Sequence, residues 1–276
     1  MAKNNKIQEN IVAHNQIAEK YDLAHPEIYN EIEQDRIKKT IRKLLNISGK
    51  KNPKILDFGA GTGNLTKHFL EFGCEVTACD VSQKSLDVLK KKFEGDNNLK
   101  TRLISGEKLP FKDNSFDIVA TYSVLHHIPD YLLAVREMIR VTKKGGITYI
   151  DHEVNNNRWY PNPLLREYYN KSKRSKIEKS MALIKRKDFL KYVFYRNKMI
   201  KLFINPRFMS QGDLHVFIDD HIEWEKIYQL VKKDGCKIIK KSDYLLYNPL
   251  IKREEYDVYK RKCNDMRYLF IKKLVK

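Results

Sequence analysis

Residues 57 to 63 read Asp57-Phe58-Gly59-Ala60-Gly61-Thr62-Gly63 and follow directly on the short apolar run KILDF at 54 to 58. Three glycines at alternate positions let the backbone turn tightly and let a ligand approach it closely. The segment therefore predicts a strand that ends, a glycine loop, and a helix that begins, which is where open α/β sheets bind ligands. The rest of residues 54 to 152 agrees. Further strand candidates are EVTAC (75 to 79), TRLI (101 to 104), FDIVAT (116 to 121) and ITYI (147 to 150). Between them lie amphipathic patterns. Leu65, Phe69 and Phe72 share one helical face before Gly73; Leu86, Leu89 and Phe93 share another after Ser82 as N-cap; Leu132, Val135 and Ile139 share a third, starting at Tyr131 and stopping at Gly145-Gly146. Strands alternating with helices through right-handed crossovers give an α/β, Rossmann-like doubly wound sheet.

The loop chemistry narrows the ligand. A dinucleotide fingerprint, G-x-G-x-x-G, would place a third glycine where this chain has Asn64, and Asp57 stands two residues before the first glycine. A carboxylate there suits a cationic ligand better than a pyrophosphate. S-adenosylmethionine, with its sulfonium and ammonium groups, matches that charge. Asp80 closes the second strand candidate, where a carboxylate can accept hydrogen bonds from both hydroxyls of a ribose.

The stretches LDFGAGTGNLT, the Asp80-Val81-Ser82 turn, GEKLPFKDNSFDIV, YSVLHHIPD and KKGG together resemble the class I S-adenosylmethionine-dependent methyltransferases, in particular the small-molecule, type 11-like branch. The resemblance covers residues 54 to 153. It implies a seven-stranded, mostly parallel sheet whose last strand is antiparallel, with KIIK (237 to 240) and RYLFIKKLV (267 to 275) supplying the final two. It also implies S-adenosylmethionine contacts at Asp57, Gly59, Ala60, Gly61, Asp80, Val81 and Ser123, an adenine edge at Ser105 to Glu107, and Tyr21 of the Ala18-Glu19-Lys20-Tyr21-Asp22 run near the cofactor. Many relatives carry Asp where this chain has Ser105, which leaves the adenine amino contact open.

Methyl transfer from a sulfonium is an in-line displacement that depends mostly on positioning and water exclusion, with a base needed chiefly for a hydroxyl acceptor. His126 and His127 follow the fourth strand and His152 follows the fifth, so all three are catalytic candidates, each with packing or capping as its alternative. His215, Asp219, Asp220 and His221 form a further cluster, read as helix capping, with Asp220 and Glu223 at capping-box spacing; no metal is expected.

Charge is the remaining signal. The chain holds 54 Lys and Arg against 35 Asp and Glu, a net +19, and thirteen of the cations fall between Lys171 and Arg207 against only Glu178 and Asp188. This predicts recognition of an anionic, phosphate-, nucleotide- or lipid-linked acceptor, or contact with an acidic membrane surface. No apolar run is long enough to cross a bilayer, and residues 1 to 20 lack the apolar stretch of a secretory signal, so cytoplasmic residence is expected. Four scattered cysteines suggest neither disulfides nor zinc.

The expected organisation is an N-terminal helical segment (1 to 50), a cofactor-binding core (51 to 153), a basic, aromatic-rich helical cap insertion (154 to 219) and a completing unit (220 to 276). The expected activity is methylation of a small or medium-sized acceptor, with oxygen favoured. An RNA methyltransferase and a cofactor-binding protein without turnover are the alternatives, and a nicotinamide oxidoreductase ranks last because of Asn64.

Overall fold

The structure, a computed structural model, describes residues 2–173 and 213–275, with side chains from Lys6 onward. Helices α1 (Ala2–Ile17), α2 (Tyr21–Ala24) and α3 (Glu31–Ser48) precede the sheet. Then follow β1 (Lys54–Phe58), α4 (Asn64–Glu71), β2 (Glu75–Asp80), α5 (Gln83–Lys92), β3 (Leu99–Leu103), β4 (Phe116–Tyr122), α6 (Tyr131–Val141) and β5 (Thr142–Val154). A helix at 163–173, α7, comes next. After residue 212 lie a two-stranded hairpin, β6 (Val216–Phe217) and β7 (Asp220–His221), then α8 (Trp224–Lys233), β8 (Cys236–Tyr244), α9 (Arg253–Tyr259) and β9 (Met266–Lys273).

The main sheet has seven strands in the order β3-β2-β1-β4-β5-β9-β8. β1 to β5 pair in parallel, while β9 runs antiparallel to both neighbours, as the expected fold requires. Alternation along the strands assigns each side chain to one of two cores. Ile55, Ile118 and Ile147 pack with Ile37, Ile41 and Leu44 of α3 and with Leu65 and Phe69 of α4. Their neighbours Leu56 and Val119 face Ala134, Val135 and Met138 of α6 and Trp224, Ile227 and Val231 of α8. Burying both faces of a mostly parallel sheet is what makes its strands read as continuous apolar runs.

Most helix signals hold. Ser82 caps α5 by accepting from the Ser85 amide, and Gly73 and Gly235 take positive φ after α4 and α8. One capping expectation fails. Asp220 lies in β7 with its carboxylate 2.5 Å from His215 Nδ1, and Glu223 precedes α8 without a side-chain cap bond. The nearby imidazole claims the carboxylate that the spacing had assigned to the helix. A third core joins α7 to α9 through Leu165, Tyr168, Tyr256 and Tyr259, and α9 had no counterpart in the sequence reading. The run RKDFLKYVFYRNKMIKLF of the expected cap lies outside the described residues. All four cysteines are buried and free. Among the described residues no helix is long and apolar enough to cross a membrane.

Candidate functional site

At the carboxyl ends of β1, β2 and β4 lies a cleft enclosing about 980 Å³ of space, part of it open to solvent. Its floor is the glycine loop. The Gly59 and Ala60 amides donate to the Cys79 carbonyl at 2.9 and 3.0 Å, which draws the loop over β2. Gly59 has φ +71°, and a side chain there would overlap Val124. Gly61 has φ +52° and nothing within 4 Å of where a Cβ would stand, so its bare backbone faces open space.

Asp80 ends β2 beneath this loop. Its Oδ2 accepts from the Gly61 amide and its Oδ1 from the Ser82 amide, both at 2.8 Å. Burial raises its pKa, and those amides oppose the rise. Asp57, 1% exposed, accepts from Thr66 Oγ1 at 2.6 Å. Burial pushes its carboxyl up to about 7, against the Thr66 bond and with help from the Asp80 charge. Two buried acids around a glycine cradle form a pocket biased toward a cation.

α1 and the α2 region roof the cleft with Ile7, Asn10, His14, Tyr21 and Tyr29. Thr62 Oγ1 donates to Asp22 at 2.7 Å, which leaves the Tyr29 hydroxyl, 3.1 Å away, to donate to Thr62. Lys92 reaches Asp22 at 2.5 Å, tying the roof to α5.

The turn after β4 supplies the far wall. Ser123 adopts φ +59°, and its amide donates to the Asp151 carbonyl at 3.0 Å. Glu153 accepts from the Val124 and Leu125 amides and lies 2.8 Å from His126 Nδ1. Burial lowers the His126 pKa, but Glu153 more than offsets it and holds the imidazole above its usual value. His127 lines the cleft with Nδ1 3.1 Å from Asp213 and its ring edge-on to His14, centroids 5.1 Å apart. Burial depresses His14 to about 4. His126, His127 and Asp213 bring one ligand atom each within 4.8 Å of one another, the only such metal-capable group among the described residues; Glu153 and Asp213 already engage its two Nδ1 atoms.

Of the residues marked in the sequence, Tyr21, Asp57, Gly59, Ala60 and Gly61 line the cleft. So do Asp80, Val81, Glu107, Ser123 and His127. Three do not. Ser105 is exposed beside the wall, which Ile104 and Gly106 form instead. His126 turns toward Glu153. His152 stacks on Tyr122, centroids 4.5 Å apart, with Nδ1 3.7 Å from Glu33, one layer below the cleft. Glu107 also accepts from the Asp130 amide, so it braces the loop before α6. The sequence reading missed Asn10, His14, Tyr29 and Asp213. The i, i+3, i+7 spacing of Ile7, Asn10 and His14 was the available signal for the first two. Nothing local signals Asp213, which meets His127 across 86 residues of chain.

Residues 56–150 match the model of a family described as a methyltransferase domain. This segment is a class I, type 11-like methyltransferase domain. Demethylmenaquinone methyltransferase of Staphylococcus aureus is 40% identical over 152 residues, which cover 52% of this chain and 60% of that protein. The chain thus spans less than two thirds of the curated relatives it matches. Among solved structures, a chain in a complex of the Haloferax volcanii Trm112 methyltransferase activator with a methyltransferase superposes with a TM-score of 0.60 at 12% identity, covering 95% of this chain and 98% of that one. A SAM-dependent methyltransferase from Methanosarcina mazei gives 0.54 at 16% identity, covering 86% and 98%. At these identities the likeness is one of fold. The cofactor of the methyltransferase domain is S-adenosylmethionine, and the residues present fit it. The Gly61 cradle admits a ligand that a side chain would exclude, and the buried acids match a cationic nucleoside.

Proposed function

We propose that this chain transfers a methyl group from S-adenosylmethionine to an oxygen of a small or medium-sized acceptor. The observation that carries the reading is Asp80, a buried carboxylate fixed by two backbone amides at a strand end, with lone pairs left to accept from a ribose diol. In this reading Gly59, Ala60, Gly61, Val81 and Ser123 shape the nucleoside site, and Gly106 takes the place expected for Ser105. Asp57 lies toward the cationic end and Tyr21 closes the roof. When bound, the cofactor supplies an electrophilic methyl group on a positively charged sulfur. His127, oriented by Asp213, takes up the proton of an acceptor hydroxyl.

The Staphylococcus relative is named for demethylmenaquinone, a small-molecule acceptor, which supports that class of substrate. The described lining contains no lysine or arginine. An anionic acceptor held by the basic segment, or docking on an acidic membrane, therefore rests on residues 174 to 212, outside the described residues.

Two measurements test the reading. Calorimetry with S-adenosylhomocysteine should show binding, and Asp80→Ala should weaken it by roughly 1 to 3 kcal/mol, the effect of stranding charged hydrogen-bond partners. Unchanged affinity would sink the assignment. A screen of phenols, quinols, nucleotide-sugars, lipid phosphates and tRNA for conversion of cofactor to S-adenosylhomocysteine should find turnover among the small molecules. Turnover confined to tRNA would replace the acceptor reading.

The Asp57 carboxyl supplies a pH signature. A pKa raised to about 7 favours the protonated folded chain, so ligand-free stability falls from about pH 4 to pH 7 and levels off above. An ammonium in the site favours the ionised form. Affinity for S-adenosylhomocysteine is thus expected to rise toward pH 7 and then flatten, and Asp57→Asn to remove that slope. A flat profile in the parent protein would contradict the pairing.

A further inference from the structure

The roof of the cleft contains a polar group that its surroundings do not explain. Asn10 lies on the inner face of α1, 6% exposed, and its Nδ2 has no hydrogen-bond partner. Buried amide nitrogens are nearly always paired, and one left over beside a ligand cleft points to a partner that arrives with the ligand. Packing alone would favour leucine there.

The position of α1 narrows what Asn10 meets. One turn before it, Ile7 Cδ1 lies 3.3 Å from where a Gly106 side chain would start, next to the wall formed by Ile104 and Gly106. One turn after it, His14 abuts His127. Asn10 therefore sits midway along about 10 Å of helix that crosses the cleft from one end to the other. Asn15 fastens the same helix to the turn after Asp80, accepting from Ser82 Oγ at 2.7 Å and from the Lys84 amide at 3.3 Å. The donor thus lines the cleft between the Gly106 wall and His127.

We propose that the Asn10 carboxamide donates a hydrogen bond to the nucleoside half of the bound cofactor, making α1, which lies outside the matched methyltransferase domain, part of the cofactor site. The inference rests on the cofactor reading above. Adenine ring nitrogens and ribose oxygens offer acceptors of the required kind. An alternative occupant, the acceptor molecule, would be met nearer to His127.

The test uses the full chain with S-adenosylhomocysteine as the probe. Asn10→Leu keeps size and removes the donor, whereas Asn10→Ala removes it and leaves space. Both should weaken the calorimetric Kd about tenfold. In the ligand-free state Asn10→Leu should melt no lower than the parent, because an unpaired amide has been replaced by an apolar group. Binding should slow hydrogen exchange in residues 7 to 14 of the parent and do so less in either variant. Affinities within twofold of the parent overturn the proposal. So does a loss seen with leucine but not alanine, which would mark a steric contact. Should the parent itself not bind the probe, the cofactor reading falls and takes this proposal with it, an outcome distinct from a parent that binds and variants that bind equally well.

Discussion

His127→Gln is expected to lower turnover by about 10² to 10⁴ with a hydroxyl acceptor found in the screen, the range for loss of a positioned general base. Its affinity for S-adenosylhomocysteine should stay within a few fold of the parent's. The imidazole lines the cleft and has Asp213 3.1 Å from Nδ1, an arrangement that directs Nε2 away from the carboxylate. Asp213→Asn should show a smaller loss of kcat than His127→Gln, with KM little altered, because it disturbs the orientation of the ring and not its presence. Equal turnover in His127→Gln and the parent would remove base catalysis from the reading and favour an acceptor that carries no proton to be taken up.

Arg36→Met is expected to lower unfolding free energy by about 3 to 5 kcal/mol, the scale for stranding one side of a buried ion pair. Arg36 Nε lies 3.0 and 2.9 Å from the two Glu33 oxygens, and its Nη2 lies 2.9 Å from Asp151. Both carboxylates are buried, at 1% and 0% exposure. Tyr122 donates to Glu33 at 2.9 Å, while Tyr244 and Tyr149 donate to Asp151. The guanidinium also lies over the Tyr244 ring, 3.9 Å from its centroid. Burial alone would raise the Glu33 pKa, but Arg36 and His152 hold it down at about 2. In the parent, therefore, Glu33 contributes stability above its usual titration range that is lost as pH falls toward 2. In Arg36→Met the sign reverses. The stranded Glu33 carboxyl, buried without its guanidinium, binds a proton more readily folded than unfolded, so the deficit against the parent should shrink as pH drops from 7 to 5. Urea unfolding at the two pH values reads this directly, and a deficit equal at both would show that the cluster acts through packing alone. Because Tyr122 lines the cleft, the same variant probes how firmly α3 supports the site.

The strands and the glycine loop were legible because each is dictated over a few residues. KILDF became β1 with the expected limits, since Ile55, Leu56 and Phe58 are buried against helices on the two faces of the sheet. Asp57, Gly61 and Asp80 reached one cleft because the loop and the β2 terminus are neighbours in any sheet of this topology. What stayed hidden depends on distant pairing. His152 was read as following the fifth strand, yet β5 runs on to Val154, and φ +61° at His152 lays the ring on Tyr122, with Glu33 of α3 3.7 Å away. Asp220 had good capping spacing, but a histidine five residues earlier binds it. Helix α9 is built on tyrosines that pack against α7, a core that no single stretch of sequence announces. Of the stretch from Ser105 to Glu107 that the resemblance marked, Gly106 and Glu107 line the cleft, while Ser105 is exposed beside it.

The amides of Leu214 and His215 both donate to the His126 carbonyl, at 2.8 and 3.1 Å, and His215 Nε2 lies 3.0 Å from the Ile128 carbonyl. The distal end of the long excursion after β5 is thereby sewn to the very peptide that carries the histidine pair. On the reading proposed above, the residues that return from this excursion and the histidine turn share one seam, whereas the nucleoside would be held by the glycine loop and Asp80. A transplant of that excursion between relatives would need to keep residues 213 to 215 with the recipient for the histidine turn to hold its shape.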